Sequence, residues 1–257
     1  MNLGAMAMTK DRFSQQSDQY RRYRPGYPPE LFARLSAIAP GTQRAWDCGC
    51  GTGQASLPLA GYFDEVIASD LSWQQLSQAA GADNLRFCAT SANAPPFDDG
   101  SMDLILVAQA LHWFDLPKFF AACERILKPG GVLAVLTYNL LSISEEIDPL
   151  IQHLYFDVLG DYWDAERKLV ENAYADIDFP FAPQTFPDSE MISSWNCEQL
   201  LGYLGTWSAV KQYASANGGD AVRQIAPQVK ALWPESGNAT LPVRWPLRCI
   251  VRRKHSS

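Results

Sequence analysis

The chain has 257 residues, of which 28 are acidic and 21 are Lys or Arg, and its net charge is −7. This acidic balance argues against tight nucleic-acid binding, which depends on Lys and Arg neutralising phosphates. No apolar run reaches the roughly 18–20 residues of a membrane span, and the opening MNLGAMAMTK lacks the regions of a secretory signal. We expect a cytoplasmic protein that binds neither nucleic acid nor membranes.

Strands and helices alternate from about residue 43 to residue 139. The predicted strands are RAWDC, EVIASD, LRFCA, DLILVAQA and VLAVLTYN. The predicted helices between them are GQASLPLAGYF, SWQQLSQAAG with Ser72 as its N-cap, and LPKFFAACERILK. The fourth strand is nearly continuously apolar, as a buried parallel strand should be. The alternation predicts an α/β fold, in which a doubly wound, mostly parallel sheet carries helices on both faces.

The alternation stops after Asn139. We expect residues 143–175 to be helical, 176–196 to form an irregular loop, and two more helices to follow, the second divided at Pro227. The final TLPVRWPLRCIVRR alternates as a strand does. Four segments are therefore predicted: an N-terminal lid with the first helix (1–40), a ligand-binding core (41–140), a helical insertion or cap (141–240), and a closing strand with the tail (241–257).

The stretch WDCGCGTGQ joins the first predicted strand to a helix and combines two cysteines, three glycines and one aspartate. As a metal clamp, Cys48 and Cys50 would supply only half of a tetrahedral site, and no second Cys/His pair is spaced to complete it. We therefore predict no metal and expect the six cysteines to be reduced core residues.

The glycines of this stretch favour a nucleotide loop. Gly49, Gly51 and Gly53 permit a tight turn and a close approach of the backbone to a ligand. Asp70 ends the second strand, where a carboxylate can accept hydrogen bonds from ribose hydroxyls. Asp47 precedes the glycines, where it would repel a pyrophosphate and suit a cationic amino group. This pattern argues against a dinucleotide-dependent oxidoreductase.

Several motifs together resemble class I S-adenosylmethionine-dependent methyltransferases with a type 11-like domain: DCGCGTGQ, SDLS, the loop ending PPF, FDLP after AQALHW, and ILKPGGVLAV. The flanking FSQQSDQYRRYRPGYP, GYLGTWSAVKQY and VRWPLR are similar to the trans-aconitate methyltransferase branch. The resemblance implies a Rossmann-like, seven-stranded sheet, S-adenosylmethionine as cofactor, a small-molecule methyl acceptor, and a monomer or homodimer. A carboxylate acceptor, and hence O-methylation, is what the branch favours.

The resemblance also implies roles for individual residues. Asp70 would hold the ribose hydroxyls and Leu71 would pack on the adenine. Ser91 and Ala92 stand near the adenine amine, although neither supplies the carboxylate that the family usually has there. The remaining residues assigned to cofactor binding are those of the glycine loop, the methionine end and the lid: Asp47, Gly49, Gly51, Gly53, Gln109, Ala110, Tyr20, Tyr23 and Arg24.

The acceptor site is expected near Gln109 and is less constrained by the sequence. His112 is the candidate catalytic base, with substrate contact or simple packing as alternatives. Arg24 is a candidate clamp for a carboxylate, or else part of a solvated basic patch. Trp113, Tyr203 and Trp207 are candidate substrate contacts, although an aromatic stripe is more often core. Binding of the cofactor without turnover, and methylation of RNA or protein, stay open as alternative functions.

Overall fold

The computed structural model describes residues 23–256. Its centre is an eight-stranded mixed sheet in the order β3-β2-β1-β4-β5-β8-β6, with β7 also paired to β8. The first five strands are parallel, and β8 runs antiparallel to β5, β6 and β7. The strands are β1 (Arg44–Cys48), β2 (Glu65–Asp70), β3 (Leu85–Ala89), β4 (Met102–Ala108), β5 (Leu127–Tyr138), β6 (Ala182–Gln184), β7 (Ser189–Trp195) and β8 (Leu241–Arg253).

Nine α-helices are present within residues 23–256, and most are short. They are α1 (Pro29–Ile38), α2 (Ser56–Ala60), α3 (Trp73–Leu76), α4 (Leu116–Ile126), α5 (Asp148–Gln152), α6 (Arg167–Glu171), α7 (Cys197–Gly205), α8 (Ser208–Asn217) and α9 (Ala226–Leu232). A π-helical segment, His153–Val158, continues α5, and 3₁₀ turns separate several of the others. No helix among these residues has the length and apolar character needed to cross a bilayer.

The parallel strands are buried on both faces, as the apolar run of β4 predicts. Successive residues of β1 enter different core clusters: Ala45 packs in one and Trp46 in the other. The same alternation separates Leu104 and Leu106 from Ile105 and Val107 in β4. The core therefore consists of two apolar layers with the sheet between them. The doubly wound, mostly parallel α/β fold is confirmed.

The predicted seven strands and the predicted loop over residues 176–196 are both wrong. Residues 182–184 and 189–195 form β6 and β7, which pair with successive parts of the 13-residue β8. Burial alternates along β7, with Met191 and Trp195 buried and Glu190, Ile192 and Ser194 exposed, but the residue types do not follow this alternation. Such a polar edge strand has no clear alternation in its own sequence, and it becomes a strand because β8 offers an unpaired edge.

Helix boundaries also differ from those predicted. The helix expected over SWQQLSQAAG ends at Leu76, although Ser72 is its N-cap as predicted and its side chain accepts a hydrogen bond from the backbone N–H of Gln75. The expected division at Pro227 is confirmed: a 3₁₀ turn ends at Gln224 and α9 begins at Ala226. A proline in the first turn of α9 loses no helical hydrogen bond, so the break falls before it.

Candidate active site

The first cavity lies at the carboxyl ends of the parallel strands, where open α/β sheets place their ligands. It is bordered by the turn after β1, the end of β2, and the residues that follow β4. Its lining residues are Arg24, Pro25, Tyr27, Gly49, Cys50, Gly51, Gln54, Ala55, Asp70, Gln75, Ala108, Gln109, Ala110, Trp113 and Tyr138. We call it the cofactor cavity.

The glycine loop needs its glycines for conformation and for space. Gly49, Gly51 and Gly53 have φ values of 72°, 58° and 84°, which side-chain-bearing residues rarely adopt. A Cβ on Gly49 would lie 2.7 Å from the Cβ of Ala110. The backbone N–H groups of Gly49 and Cys50 both donate to the Ser69 carbonyl, at 2.8 and 2.9 Å. The loop after β1 is thus tied to the end of β2.

Asp70 has the position predicted for it and also holds the loop together. Its Oδ2 accepts a hydrogen bond from the Gly51 N–H at 2.9 Å, and its Oδ1 accepts one from the Ser72 N–H at 2.8 Å. The side chain of Asp70 lines the cofactor cavity. Leu71, predicted to pack on the adenine, is 60 % exposed beside it.

Asp47 lies behind the glycine loop and does not line the cavity. It is fully buried, and the Ser56 hydroxyl donates to its Oδ2 at 2.5 Å. Its Oδ1 has no hydrogen-bond partner among residues 23–256. Burial raises the pKa of Asp47 to about 7, the Ser56 hydrogen bond opposes this, and the Asp70 carboxylate adds to it. A cation in the cavity would therefore interact with Asp47 through space and not by direct contact.

Two glutamines that sequence reasoning missed supply polar groups to the cofactor cavity. Gln54 Nε2 and Gln75 Oε1 are buried without a hydrogen-bond partner in the described part of the chain, and both residues line the cavity. A buried donor and a buried acceptor left unmatched are costly unless a ligand completes them. Gln54 ends the stretch WDCGCGTGQ and could have been identified from that motif. Gln75 belongs to no such motif, and only the fold brings it to this wall.

Gln109 connects the two cavities of the site. It follows β4 in a left-handed conformation with φ of 55°, which is strained for a residue with a side chain. Its Nε2 donates to the Tyr138 carbonyl at 2.8 Å, and its Oε1 accepts from the Thr137 hydroxyl at 2.8 Å. These bonds to the end of β5 hold it in place. Ala110, also predicted, lines the cofactor cavity beside it.

Three other predicted cofactor residues, Gly53, Ser91 and Ala92, do not line the cofactor cavity. Ser91 and Ala92 are in the loop after β3 and do not line it, and the Ser91 hydroxyl accepts a bond from the Asn93 N–H. Gly53 shapes the loop without reaching the cavity surface. Tyr20 lies outside the described residues. The part they would play in binding stays a prediction.

The second cavity, which we call the acceptor cavity, adjoins the first and shares Arg24, Gln109, Trp113 and Tyr138 with it. Its other walls come from the region after β5 and from residues near α6 and α7. Its remaining lining residues are His112, Asn139, Leu140, Trp163, Asp164, Arg167, Tyr203, Thr206, Trp207 and Ser208. The predicted substrate contacts Trp113, Tyr203 and Trp207 are therefore brought together here.

The aromatic stripe is part of the core and also borders the acceptor cavity, while contact with a substrate stays a prediction. Tyr203 and Trp207 are almost fully buried and their rings pack edge to face at 6.0 Å, so they are core residues that also line the cavity. The Tyr23 ring packs against Gly202, where a Cβ would lie 2.6 Å from the ring. The N-terminal segment thereby meets α7 at this wall.

Two arginines face the acceptor cavity. Arg24 Nη1 donates to the Tyr138 hydroxyl at 3.2 Å, and the Arg24 guanidinium lies 5.3 Å from the centre of the Tyr203 ring. Arg167 Nε donates to the Tyr155 hydroxyl at 2.8 Å.

The guanidinium of Arg167 is also 5.0 Å from the centre of the Trp163 ring, which lies beside it in the wall. Within the described chain it forms no ion pair with a carboxylate. Stacking orients its planar fork without neutralising it, which suits recognition of an oxyanion. No sequence motif singled out Arg167.

His112 lies in the 3₁₀ turn after β4 and borders the acceptor cavity. Its Nδ1 is 2.8 Å from the Tyr174 hydroxyl. Burial, and to a lesser degree the positive charge of Arg167, lower the pKa of His112 to about 3. The imidazole is therefore neutral near pH 7 and accepts a proton only weakly, which disfavours the predicted role as a base.

Cys48 and Cys50 are buried free thiols, and burial raises the pKa of both. Among the residues that the structure describes, no group of three or more His, Cys, Asp or Glu side chains is arranged to hold a metal ion.

Comparisons with known proteins identify the family. A methyltransferase-domain family model matches residues 46–135, which include the glycine loop and β4. A Dictyostelium discoideum protein classed as a methyltransferase is 32 % identical over 250 residues, covering 95 % of each chain. A Saccharomyces cerevisiae protein classed as an S-adenosylmethionine-dependent methyltransferase is 25 % identical and covers 79 % of this chain and 82 % of its own.

A solved structure described as a type II methyltransferase, from Anaeromyxobacter dehalogenans, has 38 % identity and a TM-score of 0.85. It covers 91 % of this chain and all of its own. The full-length match to a relative above 30 % identity, the methyltransferase-domain match and the cavity at the glycine loop agree with one another. The chain belongs to the S-adenosylmethionine-dependent methyltransferases.

Proposed function

We propose that this enzyme methylates a carboxylate oxygen of a small anionic molecule bound in the acceptor cavity, with S-adenosylmethionine bound in the cofactor cavity. The observation that carries the proposal is Arg167, a stacked guanidinium without an ion pair in the described chain, which faces the cavity adjoining the glycine loop. Arg24 lines the same cavity. The Asp164 carboxylate lines it as well. The guanidinium of Arg167, which has no ion pair in the described chain, favours an anionic acceptor over an amine.

The cofactor cavity has the groups that an adenosine and an amino acid require. Asp70 offers carboxylate oxygens to ribose hydroxyls, and Leu71 exposes an apolar side chain next to it. Gln54 Nε2 and Gln75 Oε1 supply an unmatched donor and acceptor. The loop backbone can approach closely because Gly49 and Gly51 have no side chains. When bound, S-adenosylmethionine supplies an electrophilic methyl group on a sulfonium sulfur.

The remaining catalytic work falls to residues that hold and desolvate the acceptor. A carboxylate is already a nucleophile, so it needs no general base, in agreement with the low basicity of His112. Arg167 would orient the acceptor by hydrogen bonds to its carboxylate. Trp163 and Trp207 would exclude water around it. Holding both reactants at contact distance can contribute up to about 7–11 kcal/mol.

The similarity to trans-aconitate methyltransferases supports the same acceptor class and stays a prediction. A cytoplasmic location, a small-molecule partner, and a monomeric or homodimeric state also stay predictions. Neither cavity offers an observation that favours RNA or protein as the acceptor.

The test is methyl transfer from labelled S-adenosylmethionine to panels of small carboxylates, phenols and amines, with tRNA as a further candidate. We expect label in one or more carboxylates, as an ester that alkali cleaves to methanol. Label confined to amines, phenols or tRNA would contradict the acceptor class. Cofactor binding without transfer to any panel would favour the alternative of a binding protein.

Arg167→Met provides the matching mutational test. Loss of a charge-assisted pair costs roughly 1.5–3 kcal/mol, so we expect kcat/KM for the carboxylate to fall about 10- to 100-fold. Binding of S-adenosylhomocysteine should be unchanged, because Arg167 does not line the cofactor cavity. Arg223→Met, at an 86 % exposed side chain, is the matched control. An unchanged carboxylate rate in Arg167→Met would contradict the proposed clamp.

A further inference from the structure

Tyr174 is a buried residue whose hydroxyl contacts His112, a residue in the wall of the acceptor cavity. It follows the end of α6, is 1 % exposed, and does not line the acceptor cavity. Its hydroxyl is 2.8 Å from His112 Nδ1, across 62 residues of sequence. The two rings lie nearly parallel, at 27°, with centres 6.2 Å apart. The Tyr174 hydroxyl therefore meets the acceptor cavity through His112.

The backbone at Tyr174 is held in a costly conformation. Ala173 and Tyr174 have φ values of 52° and 59°, both in the left-handed region that favours glycine. The turn is closed by hydrogen bonds from the Ala173 and Tyr174 N–H groups to the carbonyls of Val170 and Leu169. Two consecutive strained residues without glycine persist only where the surrounding structure holds them, and such strain concentrates at functional sites.

The hydrogen bonds around the Tyr174 oxygen decide where the protons lie. Burial raises the pKa of Tyr174, so the phenol keeps its proton. Within residues 23–256 the Tyr174 hydroxyl has no hydrogen-bond acceptor other than His112 Nδ1, and a buried O–H left without an acceptor is costly, so the hydroxyl donates to Nδ1. A neutral imidazole that accepts at Nδ1 carries its own proton on Nε2. That Nε2 has no hydrogen-bond partner within residues 23–256.

We propose that Tyr174 is a positioning residue: its hydroxyl holds His112 in the Nε2–H tautomer, so that His112 presents an N–H donor to the oxyanion of the methyl acceptor. The tautomer is a property of this chain alone, whereas the contact with the acceptor rests on the proposed function. In this arrangement His112 is a donor that acts with Arg167 on one carboxylate, and it is not a base. His112 would thus assist the reaction by donating a hydrogen bond, in place of the predicted abstraction of a proton.

Long-range ¹H–¹⁵N NMR of the full chain without ligand tests the tautomer. The chain has three histidines, and a His112→Gln spectrum identifies the signals of His112 by their absence. We expect a neutral ring with the proton on Nε2 at pH 7. A proton on Nδ1, or an imidazolium, would overturn the proposal.

The variant Tyr174→Phe removes the hydroxyl and keeps the ring. We expect His112 to lose its fixed tautomer, so that signals of the Nδ1–H form appear. Tyr213→Phe is the matched control, because the Tyr213 hydroxyl bonds Gln224 and lines neither cavity. An unaltered Nε2–H tautomer in Tyr174→Phe would overturn the positioning role. The wild-type tautomer still decides the proposal if this variant fails to fold.

Kinetics with the carboxylate that reacts fastest in the acceptor panel distinguish a donor from a base. Glutamine can donate but cannot take a proton at neutral pH, so His112→Gln should keep KM within about threefold, whereas His112→Leu should raise it about tenfold. Equal losses of kcat in both variants would overturn the donor role. Absence of methyl transfer by the wild-type enzyme would contradict the proposed function, and the NMR result would still stand on its own.

Discussion

The cofactor cavity and the acceptor cavity are adjacent, but they are built in different ways. The cofactor cavity takes its central part from one short run, Gly49–Ala55, together with Asp70 and Gln75. The acceptor cavity collects side chains from segments between Arg24 and Ser208 that are far apart in the chain. In the first, backbone conformation makes the site; in the second, side chains from distant segments make it. A local motif therefore reveals the first and cannot reveal the second.

Two titratable groups, one behind the wall of the cofactor cavity and one in the wall of the acceptor cavity, have pKa values shifted in opposite directions for one physical reason. Burial raises the pKa of Asp47 to about 7 and lowers the pKa of His112 to about 3. In each case removal from water disfavours the charged form. Near pH 7 the carboxyl behind the glycine loop is therefore only partly ionised, whereas the imidazole at the acceptor wall is neutral.

Among these variants Asp70→Ala should produce the largest effect, and this effect should be confined to the cofactor cavity. It removes two carboxylate oxygens that would accept ribose hydroxyls and that hold the Gly51 and Ser72 N–H groups. Loss of two charge-assisted hydrogen bonds predicts a fall of at least about 100-fold in affinity for S-adenosylhomocysteine, measured by calorimetry. Asp83→Ala, at an exposed position after α3, is the control. Wild-type affinity in Asp70→Ala would exclude the proposed cofactor site.

Gly49→Ala tests whether the backbone makes the cofactor cavity. The new Cβ would require a positive φ and would lie 2.7 Å from Ala110 Cβ and 3.1 Å from Phe114 Cζ. Strain and overpacking together predict a loss of about 2 kcal/mol in the free energy of unfolding, measured in urea. Gly81→Ala, where a Cβ meets no atom within 4 Å, should change it little. Equal stabilities for the two variants would show that the loop tolerates a side chain.

The opposite pKa shifts predict opposite effects of pH on stability between pH 4 and 6.5. Asp47 binds more protons folded than unfolded in this range, so it makes stability fall as pH rises. His112 binds fewer protons folded than unfolded, so its contribution is complete above pH 6.5 and is lost as pH falls towards 3.

Asp47→Asn should therefore make the free energy of unfolding rise more steeply with pH, and His112→Gln should make it rise less steeply. Each change in slope is at most about 1.4 kcal/mol per pH unit. Urea titrations at several pH values measure it, and parallel curves for wild type and both variants would contradict the shifts.

The smallest of these expected effects is a dependence of cofactor affinity on pH. If Asp47 attracts the cofactor's ammonium through the loop, its ionisation should strengthen binding. Affinity for S-adenosylhomocysteine should then rise by up to about tenfold between pH 6 and pH 8, across the raised pKa of Asp47. Asp47→Asn should remove this dependence. A pH dependence that persists in the variant would assign it to another group.

The parallel core and the glycine loop were predictable because their signals are local. An apolar run of strand length, a glycine spacing and an acid at a strand end depend on neighbours within a few residues. The Ser72 cap and the break before α9 at Pro227 have the same local origin. Asp70 was assigned from its place at the end of a strand, and it lies on the cavity wall.

The acceptor cavity depends on packing between distant segments, which no local periodicity encodes. Arg167 stacks on Trp163 and lines one cavity with His112 only because the fold brings these distant segments together. Tyr174 meets His112 across 62 residues, and β7 becomes a strand only where β8 provides a free edge. Asp47 has the residue type that the motif requires, but its burial behind the loop comes from the fold. Sequence alone determines the sheet and its cofactor loop through short-range geometry, whereas long-range packing determines the charges and protons of the acceptor wall.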